Sequence, residues 1–133
     1  MSHTGDFQMT LLYAALTGLL FLILAVRVSM ERGRAKVDHG TNGGDERFQR
    51  AVRAQVNLAE YVAPVLIMLL LLEMSGTMPA WVIHALGIVW IVARVLHAWG
   101  LSTAVKAGRI AGSATTYLIL LALGLLTLYA ALG

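Results

Sequence analysis

The sequence predicts an all-α fold, a single integral membrane domain over residues 1–133 built as a bundle of four transmembrane helices. Hydrophobic residues make up 59% of the chain and charged residues only 13%, and the mean hydropathy is +0.77. That is a membrane composition. The apolar residues fall in four runs, about 8–30, 48–75, 79–101 and 111–132. Each is long enough, at about 1.5 Å per residue, to cross a hydrocarbon core of about 30 Å. The Lys and Arg residues gather at the first and third connections and are missing from the second connection and the N-terminus. Short connections between successive spans describe an antiparallel arrangement.

The first run has an unbroken apolar or small-residue core from Thr10 to Val26. Its approach, MSHTGDFQ, has no basic region and the run is too long for a signal peptide, so it reads as a retained span. The long first loop, ERGRAKVDHGTNGGDER, holds a turn-rich HGTNGG core with charges on either side. In the third run Pro79 suits the first helical turn, after a tight SGTM connection. Trp81 and Trp99, near its two ends, suit interfacial anchoring. Arg32, Arg34, Lys36 and Arg47 in loop one, with Lys106 and Arg109 in loop three, place both loops in the cytoplasm by the positive-inside rule, and both termini outside. The net charge of +3 therefore reports topology, and no basic surface with interleaved aromatics points to nucleic acid.

Cysteine is absent, which excludes disulfides, thiolate metal sites and a protein thiol nucleophile. Any thiol chemistry must use a bound thiol. The four histidines show no metal-ligand spacing. His84 on an apolar helix suits a hydrogen-bonded structural role, while His3 and His39 lie outside the spans. Gly108 and Gly112 form a G-x-x-x-G that suits close helix packing.

The second run is the unusual one, because ERFQRAVRAQVNLAEY leads polar side chains straight into the apolar VAPVLIMLLLLEM. On one helix Arg53, Asn57, Glu60 and Pro64 fall within about 60° of each other. Ionisable groups at such depth are costly and by default face a protein interior or water, which makes this stripe a candidate site. Counting along antiparallel helices from Glu73 and Pro79 puts Glu60 and Arg94 at similar depths, about 20 and 22 Å in. A Glu60–Arg94 ion pair is expected, serving either to lock two spans together or to line a pocket.

RAQVNLAEY resembles the signature of the MAPEG family, the membrane-associated proteins of eicosanoid and glutathione metabolism, whose second helix reads R-A-x-x-N-x-x-E-Y followed closely by proline. Arg94 to His97, R-V-x-H, is similar to the third helix of some members, and the resemblance covers nearly the whole chain, closest to small bacterial members. It implies a homotrimer that binds glutathione between neighbouring subunits, open to the cytoplasm, with Arg53, Asn57, Glu60 and Tyr61 as contacts and His97 beside them. Glutathione has two carboxylates that call for arginine, an amino group that calls for a carboxylate such as Glu60, and amides that suit Asn57 or Gln55. Its thiolate is favoured by a nearby guanidinium. Arg27 resembles the arginine that closes the first helix and contacts a glutathione carboxylate, and it equally suits a snorkelling anchor.

The chain departs from the family pattern at the thiol-activating arginine, whose position falls near Gly112 or Ser113. Arg109, one turn earlier and on the face of Ser113, is the catalytic candidate, or else a cap on the helix end. A third-helix tyrosine of the family aligns with Leu101, and Tyr117 replaces a fourth-helix tyrosine to within one residue. The expected function is thus glutathione binding, with transfer to, or reduction of, a hydrophobic electrophile from the bilayer of a bacterial inner membrane. One alternative is a non-catalytic lipid-presenting scaffold, which the same family includes. Another is a small multidrug exporter with Glu60 as its membrane carboxylate.

Overall fold

A computed structural model describes residues 7–133, so the expectations for the first six residues, His3 included, lie outside the described residues. Four helices follow one another: α1 Gln8–Ala35, α2 Glu46–Ser75, α3 Ala80–Ser102 and α4 Lys106–Leu132. All four are long and apolar enough to cross a membrane. α2 and α3 form the centre of the bundle. Each packs on the other and on both outer helices, except that α1 lies against α2 and α3 but not α4.

Helix ends are set by local chemistry. Asp45 caps α2, its carboxylate accepting from the Phe48 N–H at 3.0 Å, with Glu46 in the first turn beside the positive end of the helix dipole. Gly76 closes α2 at φ 66, the left-handed conformation that a glycine adopts without a steric penalty. Pro79 stands just before the first turn of α3 and serves as its N-cap residue.

The N-terminus of α1 is capped across the bundle. No side chain of its own N-cap residue serves it. Instead the Glu73 carboxylate, near the C-terminal end of α2, accepts from the backbone N–H of Met9 at 2.8 Å and of Thr10 at 2.6 Å, and from the Thr10 hydroxyl. A carboxylate there satisfies donors that the helix leaves open and meets the dipole favourably.

α1 and α4 run further than the apolar runs alone suggested. α1 continues five residues past Met30 and α4 starts five before Ala111, because a helix need not stop where hydrocarbon stops. The charges that read as loop are therefore largely helical. Glu31, buried on α1, accepts from Arg34 Nε at 2.6 Å and Arg47 at 2.8 Å, and Arg34 also bonds Asp45 at 2.8 Å. This cluster ties the end of α1 to the start of α2 and shortens loop one to residues 36–45.

The core is apolar with a polar ladder between α1 and α3. The Tyr13 hydroxyl meets His84 Nδ1 at 2.8 Å, and Trp90 Nε1, fully buried, donates to Thr17 Oγ1 at 3.0 Å. Glycines set the α3–α4 spacing. A Cβ on Gly100 would strike the backbone of Gly108 and Arg109, and one on Gly112 would lie 2.6 Å from His97 Cβ. Gly108 and Gly112 thus serve close packing within one chain.

Candidate functional site

At the loop-one end of the bundle, a cavity of about 400 Å³ opens between α2, α3 and α4. Arg53, Asn57 and Glu60 line it from α2, His97 and Leu101 from α3, and Arg109 from α4. The three α2 residues recur at helical spacing, so a single face carries all of them. Extension of α4 back to Lys106 is what makes Arg109 part of a helix and brings it to this groove.

Arg94 lies behind the groove wall at 2% exposure. Its NH2 donates to Asn57 Oδ1 at 2.7 Å and its NH1 to Thr116 Oγ1 at 3.2 Å. The guanidinium lies over the rings of Tyr61 and Trp90, at 5.6 and 5.7 Å from their centroids. Aromatic faces and neutral oxygens hold this buried cation, with no carboxylate in contact among the described residues. Its Nε has no partner among the described residues.

The expected Glu60–Arg94 ion pair is therefore not formed. Counting alone does not separate the two partners: Asn57, sixteen residues before Glu73 at about 24 Å along α2, and Glu60, thirteen before it at about 20 Å, bracket Arg94 at about 22 Å along α3. The rotation of α2 decides, turning the half-buried Asn57 to the buried arginine and leaving Glu60 outside. Glu60 is exposed on the single chain, as is Arg53. Pro64, one turn on, has no N–H to give the Glu60 carbonyl, which leaves that oxygen without its usual helical donor.

The Arg94 contact also decides what Asn57 offers. Arginine can only donate, so the amide oxygen of Asn57 faces Arg94 and its NH₂ is left as a donor toward the groove. His97 Nδ1 stands 3.5 Å from the same guanidinium nitrogen, a long contact in which the ring nitrogen can only accept, leaving Nε2 as the N–H.

The remaining candidates are not brought into the groove. Gln55 is two residues from Asn57, about 200° round α2, on a different face. Tyr61 packs edge-on to Tyr117, centroids 6.2 Å apart, beside Arg94, and Tyr117 itself is 58% exposed. Ser113 is half-buried one turn beyond Arg109 and does not line the groove. Arg27 donates to Ser102 at the end of α3, an inter-helix tie away from the cavity.

Two lining residues had no signal in the spacing of the sequence. Thr41 reaches the groove from loop one, and Gln49, also in the lining, holds the Thr41 carbonyl through its side-chain amide. Arg32 fixes the same loop by donating to Gly40 O at 2.8 Å. Only the folded loop places Thr41 there.

The family model described as "MAPEG family" matches residues 10–129. The inner membrane protein YecN of Escherichia coli K12 is 31% identical over 118 residues, covering 89% of this chain and 88% of the relative. A Synechocystis protein, sll1147, is 34% identical over 91 residues, 67% of this chain and 64% of its own length.

Proposed function

The chain belongs to the MAPEG family, and from that premise we propose that it is an inner-membrane glutathione-binding protein that transfers the tripeptide to, or reduces with it, a hydrophobic electrophile from the bilayer. One observation carries the reading. Arg53, Asn57, Glu60, His97 and Arg109, from three helices, converge on a single cavity at the loop-one end of a bundle whose outer faces are apolar.

The donor set is matched to the ligand. Arg53 suits a carboxylate, Glu60 the α-ammonium, and the Asn57 NH₂ a peptide carbonyl or carboxylate oxygen. Arg109 favours the thiolate over the thiol, and the proton leaves to solvent. In conjugation the thiolate sulfur bonds to the electrophilic carbon and the leaving group departs with its electron pair. A homotrimer completes the reading, since a neighbouring copy would cover Glu60 and Arg53 where they stand exposed.

A lipid-presenting role has its own support in an apolar cleft of about 430 Å³ between α1 and α2, lined by residues such as Ala14, Gly18, Phe21, Ala59 and Ala63. The exporter alternative needs Glu60 without a permanent cation nearby, whereas Arg53 and Arg109 share its groove.

Two measurements in detergent test the proposal. Calorimetric titration with glutathione should give saturable binding that Asn57→Ala weakens at least tenfold, by loss of a charge-assisted or amide hydrogen bond in a desolvated groove. Thiolate absorbance should rise on mixing with glutathione and fail to rise in Arg109→Ala. Binding without a thiolate signal in the native protein would favour lipid presentation, and no binding at all would overturn the reading.

A further inference from the structure

A second, smaller cavity of about 200 Å³ adjoins the groove at the basic end of the bundle and shares Arg53, Leu101 and Arg109 with its lining. Glu46, Arg50 and Arg53 line it from one face of the first turns of α2, and Lys106 and Arg109 from the first turn of α4. Four cations thus face one carboxylate, and that carboxylate, Glu46, is already paired with Arg50. The side chains of Arg53, Lys106 and Arg109 have no hydrogen-bond or ion-pair partner among the described residues. A cluster of like charges without an acceptor repels itself, and an anion between the cations relieves it.

The floor is closely packed. Gly100 leaves no room for a Cβ against the backbone of Gly108 and Arg109, so the end of α3 lies at backbone contact with the start of α4. The N-cap residue Val105 gives α4 no side-chain cap, and the helix's first N–H groups add their dipole to the same end.

We propose that this cavity is a site for a phosphate group. While no peptide occupies the adjoining groove, three net positive charges exceed what one carboxylate neutralises, and a carboxylate presents only two oxygens. A phosphate offers more oxygens and more charge, and arginine forks grip it bidentately. The site's place at a helix end, beside the exposed Trp99, Val105 and Ile110, is the level at which phospholipid phosphates lie, with apolar surface for acyl chains alongside. The phosphate belongs to an anionic lipid headgroup or to a free phosphate from solution.

The site shares Arg53 and Arg109 with the proposed glutathione groove, so the test uses Arg50 and Lys106, which line only the smaller cavity. Full-length protein in detergent is titrated with short-chain phosphatidylglycerol, with the matching phosphatidylcholine and with inorganic phosphate, and bound adducts are counted by native mass spectrometry. Preferential retention of phosphatidylglycerol, weakened about tenfold or more in Arg50→Gln/Lys106→Gln and kept in Lys106→Arg, supports the site with a lipid source. Inorganic phosphate binding with the same dependence, without lipid preference, supports it with a soluble source. Equal retention of the two lipids without phosphate binding, or binding unchanged in the double glutamine variant, overturns it. Glutathione titration of the same variant separates the two sites. Lost phosphate with intact glutathione binding concerns this cavity alone, and absent glutathione binding in the native protein leaves the phosphate result standing.

Discussion

Replacing Asn57 by leucine should destabilise the protein by about 2–3 kcal/mol, because it removes the strongest partner of a buried cation. Arg94 is 2% exposed and has two protein hydrogen-bond acceptors at ordinary distance, Asn57 Oδ1 at 2.7 Å and Thr116 Oγ1 at 3.2 Å, with His97 at the 3.5 Å limit. Its Nε already lacks a partner among the described residues. Loss of the shorter bond leaves NH2 against a leucine side chain that offers no acceptor, so the cost lies toward the upper end of the range for hydrogen bonds to charged groups. Replacing both residues, Asn57→Leu with Arg94→Met, removes the charge together with its partner and should return stability to within about 1 kcal/mol of the native protein. Unfolding free energies from a denaturing-detergent titration in mixed micelles measure Asn57→Leu, Arg94→Met and the double variant. Both Asn57 variants should lose glutathione binding, which separates site from scaffold. Native stability in Asn57→Leu, or a double variant as unstable as the two single variants added together, would refute the account of Arg94.

Glu73→Leu should cost about 3 kcal/mol by orphaning the Met9 and Thr10 N–H groups, whereas Glu73→Gln should cost about 1–2 kcal/mol by losing charge and keeping an acceptor; the same titration reads both. Gly112→Ala should cost about 1–3 kcal/mol and weaken glutathione binding, since its Cβ would meet His97 Cβ at 2.6 Å and Ala93 O at 2.7 Å. Gly124→Ala, where nothing lies within 4 Å, should be neutral or slightly stabilising. The hydrogen bond from Arg34, and then the Phe48 N–H, hold the Asp45 carboxyl down at about 2, from an ordinary 3.8. A depressed carboxylate contributes stability that is present above 3.8 and lost as pH falls toward 2. Amide protection factors in residues 36–48, with the intrinsic pH dependence of exchange divided out, should therefore stay flat from neutral pH down to that window and then fall, and Asp45→Asn should abolish the fall.

Much of the fold is legible in the residues themselves. The polar stripe Arg53, Asn57, Glu60 was legible because helical periodicity is a local property, and it does line one groove. Gln55 fails by the same periodicity, being on another face of α2. What misled was the pairing across helices. The expected Glu60–Arg94 contact turned on the rotation of α2 within a single turn, about 5 Å, finer than residue counting from an assumed helix end resolves. The charged ends of α1 and α4 read as loop because hydropathy marks where hydrocarbon stops, while helix continues until a cap such as Lys36, left-handed at φ 56, ends it.

Composition and periodicity alone determined that this chain forms four apolar helices with one polar face, because burial in lipid forces backbone pairing within each span and leaves side-chain pattern as the record. Tertiary structure decided what that face meets: Arg94 clasped by Asn57 and aromatic rings, Arg109 turned into the groove, Thr41 folded to its rim, and Glu73 capping α1 from another helix. Those contacts depend on register and rotation between helices, which packing against neighbours sets and no single helix encodes.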